Sequence, residues 1–175
     1  MLNSIPVTEE FEDYGRILAL YERAFPVNER RPLKPLLHDP TGCADFLAFY
    51  AGTEFVGFAC LLTWKDLTHI LYIAMDEDKR GRGYGAQALE IVRNVRPGHR
   101  VLADLEEETD GAENGDQRRK RMQFYMRNGF EWTEVAYRWR GEDYVILSQG
   151  GTVTKEEFWG FWHFFECENT AFSQF

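Results

Sequence analysis

The chain has few cysteines and histidines, and they are too scattered for a metal site. Its 3 cysteines and 4 histidines form neither a CxxC pair nor a zinc-ligand spacing. They are Cys43, Cys60, Cys167, His38, His69, His99 and His163. We therefore expect no metal and no disulfide framework, but free thiols in a reducing compartment.

Long apolar runs and an excess of positive charge are also missing. No apolar stretch reaches membrane-spanning length, and the opening MLNSIPVTEEFEDY lacks the charged start and apolar segment of a signal peptide. A cytoplasmic protein without membrane contacts is predicted. The net charge of −9 disfavours nucleic acid, whose phosphates require clustered Lys and Arg, and favours a cationic substrate instead.

Aromatic residues are abundant, at 15 % of the chain, which predicts a ring-rich core or a pocket lined with rings. The 175 residues contain no repeat and no Ser/Pro-rich linker, so we expect one domain over 1–175. Apolar periodicity predicts a mixed α/β fold in the order β-α-loop-β-β-β-α-β-α-β-β-α. The three consecutive strands are FLAFY, FVGFACLLTW and HILYIAM, within residues 46–75.

Several helix ends are readable from the sequence. Thr8 is predicted to cap the first helix, and Asp116 the helix that ends before Gly129. Thr154 and Glu157 form a capping box for the last helix. The first helix is predicted to bury one face: Phe11, Tyr14, Leu18, Tyr21 and Phe25.

The clearest chemical signal is the segment RGRGYG, residues 80–85, between a predicted strand and a predicted helix. Three closely spaced glycines leave the backbone bare, so its N–H groups and those of the helix N-terminus can converge on one anion. A pyrophosphate fits this arrangement, although glycines also occur in turns that bind nothing. The segment is not a P-loop, and it follows about the fourth strand, which disfavours a Rossmann nucleotide site.

A second basic cluster, RRKR at residues 118–121, opens the helix that carries Tyr125. Cations in a first helical turn oppose the helix dipole, so negative groups are expected nearby. The acidic segment 106–110 can supply them, or a nucleotide phosphate can reach across from the glycine loop. Both alternatives stay open at this level.

Residues Ala44 to Tyr137 resemble the GCN5-related N-acetyltransferase (GNAT) family. The resemblance rests on R-x-x-G-x-G at Arg80 to Gly85, the strand VLADLE and F-Y-x-x-x-G-F at Phe124 to Phe130. It implies a mostly antiparallel, twisted sheet of about six or seven strands, splayed between strands 4 and 5 and flanked by about four helices. It also implies an enzyme that transfers acetyl from acetyl-CoA to a primary amine of a small molecule or peptide.

The resemblance assigns residues 44–137 to the cofactor, and 8–41 and 138–175 to the acceptor side or accessory elements. Its cofactor contacts are Ile73, Ala74, Met75, Arg80, Gly81, Arg82, Gly83, Tyr84 and Gly85. Ile73 to Met75 would pair through their backbone with the pantetheine arm. Arg118 stands where the family often has an asparagine, so Arg118 is expected to contact phosphate instead, while Asn114 lies further upstream.

Tyr125 matches the position of the family's general acid, which protonates the departing thiolate; the alternative is a core tyrosine. Asp104 and Glu106 share one face of the fifth strand, and either could take a proton from the amine through a water. Glu106 is the first choice, a solvated acidic rim is the alternative, and Glu29 is a weaker third candidate.

Two other functions stay open from the sequence. One is a non-catalytic acetyl-CoA sensor or interaction domain of the same fold, and the other is a phosphate-ligand protein of another class. The aromatic stripe of the last helix is predicted to be core. It could instead cover the acceptor cleft or form a homodimer contact. Its residues are Phe158, Phe161, Trp162 and Phe165.

Overall fold

A seven-stranded sheet organises the computed structural model, which describes residues 1–107, 115–168 and 172. The strands are β1 (Leu2–Pro6), β2 (Ala44–Ala51), β3 (Glu54–Trp64), β4 (Leu67–Met75), β5 (Arg100–Glu106), β6 (Glu131–Trp139) and β7 (Glu142–Gln149). Their order is β1-β2-β3-β4-β5-β7-β6. Neighbouring strands run antiparallel except β4 and β5, which are parallel.

Helices cover both faces of this sheet. They are α1 (Tyr14–Ala24), α2 (Lys34–Leu37), α3 (Tyr84–Val95), α4 (Gly115–Arg127) and α5 (Lys155–His163). The first, second and fifth pack on one face, and the third and fourth on the other. Because both faces are covered, β3 is buried along nearly its whole length, with alternate residues entering opposite layers.

The sheet opens between its two parallel strands. Register pairs join Leu67–Ile70 of β4 to Arg100–Ala103 of β5, and the pairing stops there. On its other side β4 has a register shift against β3, between Cys60 and Leu61. The shift adds a residue to β4 at Leu71 and turns its end away from β5. The predicted fold class, including the splay between strands 4 and 5, is therefore confirmed.

The predicted start of the first helix is wrong. α1 begins at Tyr14 after Asp13, and residues 9–13 form turns in which the N–H of Phe11 donates to the carbonyl of Thr8. The hydroxyl of Tyr50 on β2 donates to the carboxylate of Asp13, which ties this residue to the sheet just before the helix. The fully buried side chains of α1 are Ile17, Leu20 and Tyr21. Of the predicted face, Phe11, Tyr14 and Phe25 are half-buried against the same core, and only Leu18 is exposed.

The other helix ends follow the predictions more closely. Gly129 adopts a φ of +83° directly after α4, and Thr154 and Glu157 form the complete capping box of α5. Asp116 lies inside the first turn of α4 rather than capping it, and it pairs with Arg119. Among the helices that the structure describes, none is both long and apolar enough to cross a membrane.

Candidate active site

A cleft of about 100 Å³ lies where β4 and β5 diverge. Six aromatic rings line it together with three carboxylates and two guanidinium groups. The rings are Phe25, Tyr72, Tyr137, Trp139, Tyr144 and Trp162. The charged residues are Glu29, Asp104, Glu106, Arg31 and Arg121. Ring-lined space with a few charged groups is typical of a ligand site.

Asp104 lies in the cleft with both of its carboxylate oxygens engaged. Oδ1 is 2.6 Å from Nε2 of His69, which is 1 % exposed, and Oδ2 accepts a hydrogen bond from the hydroxyl of Tyr137. Burial, followed by the charge of Asp104, raises the pKa of Tyr137, so this phenol stays a donor. His69 and Tyr137 thus hold the Asp104 carboxylate in the wall of the cleft.

Glu106, the first-choice base, forms ion pairs with the basic cluster of α4. Its carboxylate lies 3.1 Å from a guanidinium nitrogen of Arg118 and 3.4 Å from one of Arg121. Arg118 also pairs with Glu142 at 3.3 Å and donates to the carbonyl of Glu107. Protein carboxylates therefore engage part of the basic cluster, as one of the two alternatives requires. Glu108, Asp110 and Asn114 lie outside the described residues.

The phosphate contact expected of Arg118 stays a prediction. The Arg118 side chain is 10 % exposed and is held among Glu106, Glu142 and a backbone carbonyl. Those partners would compete with a phosphate for this guanidinium, whose buried Nε has no partner among the described residues. Sequence reasoning could not anticipate this, because Glu142 reaches the site through the hairpin of β6 and β7.

Glu29, the third candidate, lines the cleft although it lies in the Pro-rich segment. It ends a 3₁₀ turn, Val27–Glu29, and its Oε1 accepts a hydrogen bond of 3.1 Å from the hydroxyl of Tyr144. Burial, followed by the charge of Glu106, raises the pKa of Glu29. The missed partners, Tyr72 and Tyr144, lie on β4 and β7, far from Glu29 in sequence.

Tyr125 approaches from the opposite layer of the sheet. It is 6 % exposed, with its ring packed edge-on against Phe124 and Phe130. Burial raises the pKa of Tyr125 to about 12, so the phenol keeps its proton at neutral pH. Within the described part of the chain its hydroxyl makes no hydrogen bond. Such a hydroxyl can donate a proton to a leaving group.

The end of β4 keeps one edge open. Ile73, Ala74 and Met75 pair with β3 on one side, while the pairing with β5 ends at Ile70. Their remaining backbone N–H and C=O groups thus lack a strand partner on the cleft side. An extended ligand with amide groups can satisfy them as an added strand.

The glycine loop leads from this open edge to α3. Gly81 and Gly83 have φ values of +77° and +75°, a region that favours glycine, and space beside both is open. Gly83 is the N-cap of α3, and no side chain caps the helix. Gly85 allows close packing, since an added Cβ would lie 3.1 Å from the ring of Phe124. The bare N–H groups of this turn suit an anion.

α5 contributes both to the core and to the cleft. Phe158 and Phe161 of α5, and Phe165 in the π-helical turn that follows it, are fully buried, as predicted for the aromatic stripe. Trp162 lines the cleft, where the guanidinium of Arg31 lies 4.8 Å from its ring centroid. The same guanidinium lies 4.6 Å from the ring of Trp139, so the two indoles bracket one cation.

Residues 43–132, just over half of the 175-residue chain, match the family model described as an acetyltransferase (GNAT) domain. The chain belongs to the GNAT acetyltransferase family. The predicted family and the predicted N-acetyltransferase activity are thereby confirmed. No curated protein matches the chain in sequence.

Solved GNAT structures share the fold at low sequence identity. A GNAT-family protein from Bacteroides thetaiotaomicron has a TM-score of 0.76 at 19 % identity, over 94 % of this chain and 96 % of its own. An acetyl-CoA-bound acetyltransferase from Elizabethkingia anophelis has 0.52 at 16 %, over 85 % and 97 %. A spermidine N-acetyltransferase chimera, derived in part from Vibrio cholerae, has 0.61 at 15 %, over 85 % and 94 %. These likenesses establish the fold.

Proposed function

We propose that this GNAT protein binds acetyl-CoA along the open edge of β4 and transfers its acetyl group to a cationic primary amine in the cleft. One observation carries the proposal: the unpaired edge of β4 leads directly to the uncapped N-terminus of α3. The edge can pair with the pantetheine amides, and the glycine loop from Arg80 to Gly85 can hold the pyrophosphate.

The acetyl group passes directly from sulfur to nitrogen in this proposal. A covalent enzyme intermediate would need a nucleophile, and the thiols are poorly suited to that role. Cys60 is fully buried, and burial raises the pKa of its thiol well above the ordinary range. Cys43 and Cys167 do not line the cleft. Tyr125 then acts as the general acid that protonates the departing thiolate.

A cationic amine is the acceptor class that the cleft favours. Carboxylates and ring faces attract ammonium groups, and both line the cleft around Glu29 and Tyr144. The structural neighbour that acetylates spermidine supports this class. We also propose that residues 44–137 hold the cofactor while 8–41 and 138–175 shape the acceptor side. A cytoplasmic location and a homodimer stay predictions.

Calorimetry with acetyl-CoA and a matched pair of glycine variants tests the cofactor site. Gly83→Glu places a carboxylate at the proposed pyrophosphate position, whereas Gly52→Glu makes the same change in the β2–β3 turn. Gly52 has a similar φ, +64°, and similar open space, so the backbone strain is matched. We expect saturable binding that Gly83→Glu abolishes and Gly52→Glu retains. Equal binding by both variants, or preference for ATP over CoA, would remove the proposed site.

The transfer itself is tested by release of free thiol from acetyl-CoA in the presence of primary amines. Spermidine, an aminoglycoside and a peptide with a free N-terminal alanine represent three acceptor classes. We expect amine-dependent thiol release with at least one of them, and an acetylated product by mass spectrometry. A protein that binds acetyl-CoA and acetylates none of these amines would contradict the proposed reaction with these acceptor classes.

A further inference from the structure

We propose that Glu29 is the catalytic base that accepts the proton of the acceptor ammonium. The inference rests on the direct attack proposed above and assigns the proton-accepting role to a residue outside the sheet. It depends on two features: how residues 28–31, the cleft strap, are fastened across the cleft, and how the three cleft carboxylates differ in their partners.

The cleft strap is fastened on both sides of the opening. On the β4 side, the hydroxyl of Tyr72 donates to the carbonyl of Glu29 at 2.8 Å and accepts from the N–H of Arg31 at 2.9 Å. On the other side, the guanidinium of Arg140 in the β6–β7 turn donates to the carbonyl of Asn28 at 2.8 Å. The backbone of Glu29 is therefore held in place over the point where the sheet opens.

The carboxylate of Glu29 has an oxygen available, unlike those of its two neighbours. Both carboxylate oxygens of Asp104 are engaged, one by His69 and one by Tyr137. Glu106 forms ion pairs with Arg118 and Arg121. Glu29 accepts one hydrogen bond, from Tyr144, and in the described part of the chain its Oε2 has no partner and no cation forms an ion pair with it. A proton can thus reach Glu29 without breaking an ion pair.

The electrostatic surroundings suit the same role. Burial is the main cause that raises the pKa of Glu29, and the charges of Glu106 and Glu142 on β5 and β7 raise it further. Arg121 of α4 and the Tyr144 hydroxyl oppose this shift. A carboxylate whose pKa is raised toward the pH of the working solution is a stronger base than an ordinary carboxylate.

The proton balance of the step is complete. The ammonium of the acceptor gives one proton to the Glu29 carboxylate, and the neutral amine attacks the thioester carbon to form a C–N bond. The C–S bond then breaks, and the thiolate takes the proton of Tyr125. The second proton of the attacking nitrogen restores the Tyr125 phenol, and Glu29 releases its proton to solvent.

The test compares the pH dependence of kcat/KM for Glu29→Gln and the wild type, with the amine that the acceptor panel identifies. Without a base, only the neutral fraction of the amine reacts, and this fraction rises about tenfold per pH unit below the amine pKa. We expect a loss of about 10²–10⁴-fold at pH 7 that shrinks by about tenfold per unit as pH rises. Affinity for acetyl-CoA should be unchanged.

Two further variants complete the test. Glu22→Gln, at an exposed position on α1, should behave as the wild type. Tyr144→Phe removes a hydrogen bond that lowers the pKa of Glu29, so the acid limb of its profile should move to higher pH. If kcat/KM of Glu29→Gln is reduced by the same factor at every pH, or is not reduced, the assignment is overturned. If instead the reduction in Glu106→Gln shrinks as pH rises, Glu106 is the base. If the wild type acetylates no amine, the proposed function fails instead.

Discussion

At the scale of single residues, the role of a group in the cleft depends on which partners the fold brings to it. Glu29 and Glu106 are both cleft glutamates, yet one meets a tyrosine hydroxyl and the other two guanidinium groups. Tyr125 and Tyr137 are both buried phenols, yet Tyr137 is bound to a carboxylate and Tyr125 is not. Residue type alone therefore does not assign the acid and the base.

Replacing Tyr125 with phenylalanine should slow turnover without loosening the cofactor. The ring packing against Phe130 persists, but the proton for the leaving thiolate is gone, so kcat should fall by about 10²–10⁴-fold. Stopped-flow turnover and calorimetry with acetyl-CoA measure the two quantities separately. A variant that turns over at the wild-type rate would show that Tyr125 is a core tyrosine.

The same phenol sets the alkaline side of the pH profile. A general acid works while protonated, and the pKa of Tyr125 is raised to about 12. Activity should therefore not decline between about pH 7 and 10. Initial rates across this range, corrected for non-enzymatic acetyl transfer, provide the measurement. A decline of activity near pH 10, the ordinary pKa of tyrosine, would contradict the burial of this hydroxyl.

At the scale of elements, α5 is anchored at its start by the capping box and by Arg100. The guanidinium of Arg100 bridges Asp66 and Glu157, and Thr154 accepts from the N–H of Glu157. Replacing Thr154 with alanine should cost about 1 kcal/mol of unfolding free energy, since a helix N–H loses its partner. Urea titration measures the change. Thr152→Ala, just outside the box, is the control and should cost less.

The anchor also predicts an acid dependence of stability. Arg100, followed by the backbone of Thr154, lowers the pKa of Glu157 from 4.5 to about 2. A carboxyl with a depressed pKa stabilises the fold above its ordinary pKa, and this contribution is lost as pH falls from 4.5 toward 2. In Glu157→Gln this part of the pH dependence should be absent from the unfolding free energy measured between pH 6 and 3. An unchanged dependence would contradict it.

The close contact of β3 with β4 gives a second prediction for elements. An added Cβ on Gly57 would lie 2.3 Å from the backbone oxygen of Ala74, on the edge proposed to hold pantetheine. Gly57→Ala should cost about 1–3 kcal/mol and weaken acetyl-CoA binding. Gly15→Ala, in α1 with open space around it, should instead stabilise by about 0.5–1 kcal/mol. Thermal unfolding and calorimetry compare the pair, and equal effects would contradict this packing.

The elements also show how far the sequence predicts this molecule. Apolar periodicity identifies the strands and most helices, because burial on a sheet face or helix face repeats at a fixed spacing. It misplaces the start of α1, where the hydroxyl of Tyr50 engages Asp13 just before the helix. The glycine loop is readable because positive φ and bare N–H groups need a particular residue type.

The acceptor side is harder to predict for a physical reason. Glu29 lies in a segment without periodicity, and its position depends on Tyr72 and Arg140, which are distant in the chain. Such long-range hydrogen bonds leave no local pattern. Whether Asp104 and Glu106 are paired likewise depends on their partners, His69 and the basic cluster of α4. The alternation of the two carboxylates along β5 does not reveal those partners.

At the scale of the whole molecule, the short parallel pairing of β4 with β5 has a consequence for solvent access. Beyond Ile70 and Ala103 the sheet is open, so no carbonyl of β5 pairs with the backbone amides that face the gap from the end of β4. In the free protein these amides should exchange with deuterium quickly, although they belong to a central strand. A cofactor bound in the gap would slow the exchange of these amides selectively. Their exchange rates therefore report whether the cofactor is bound, even when no acceptor is known.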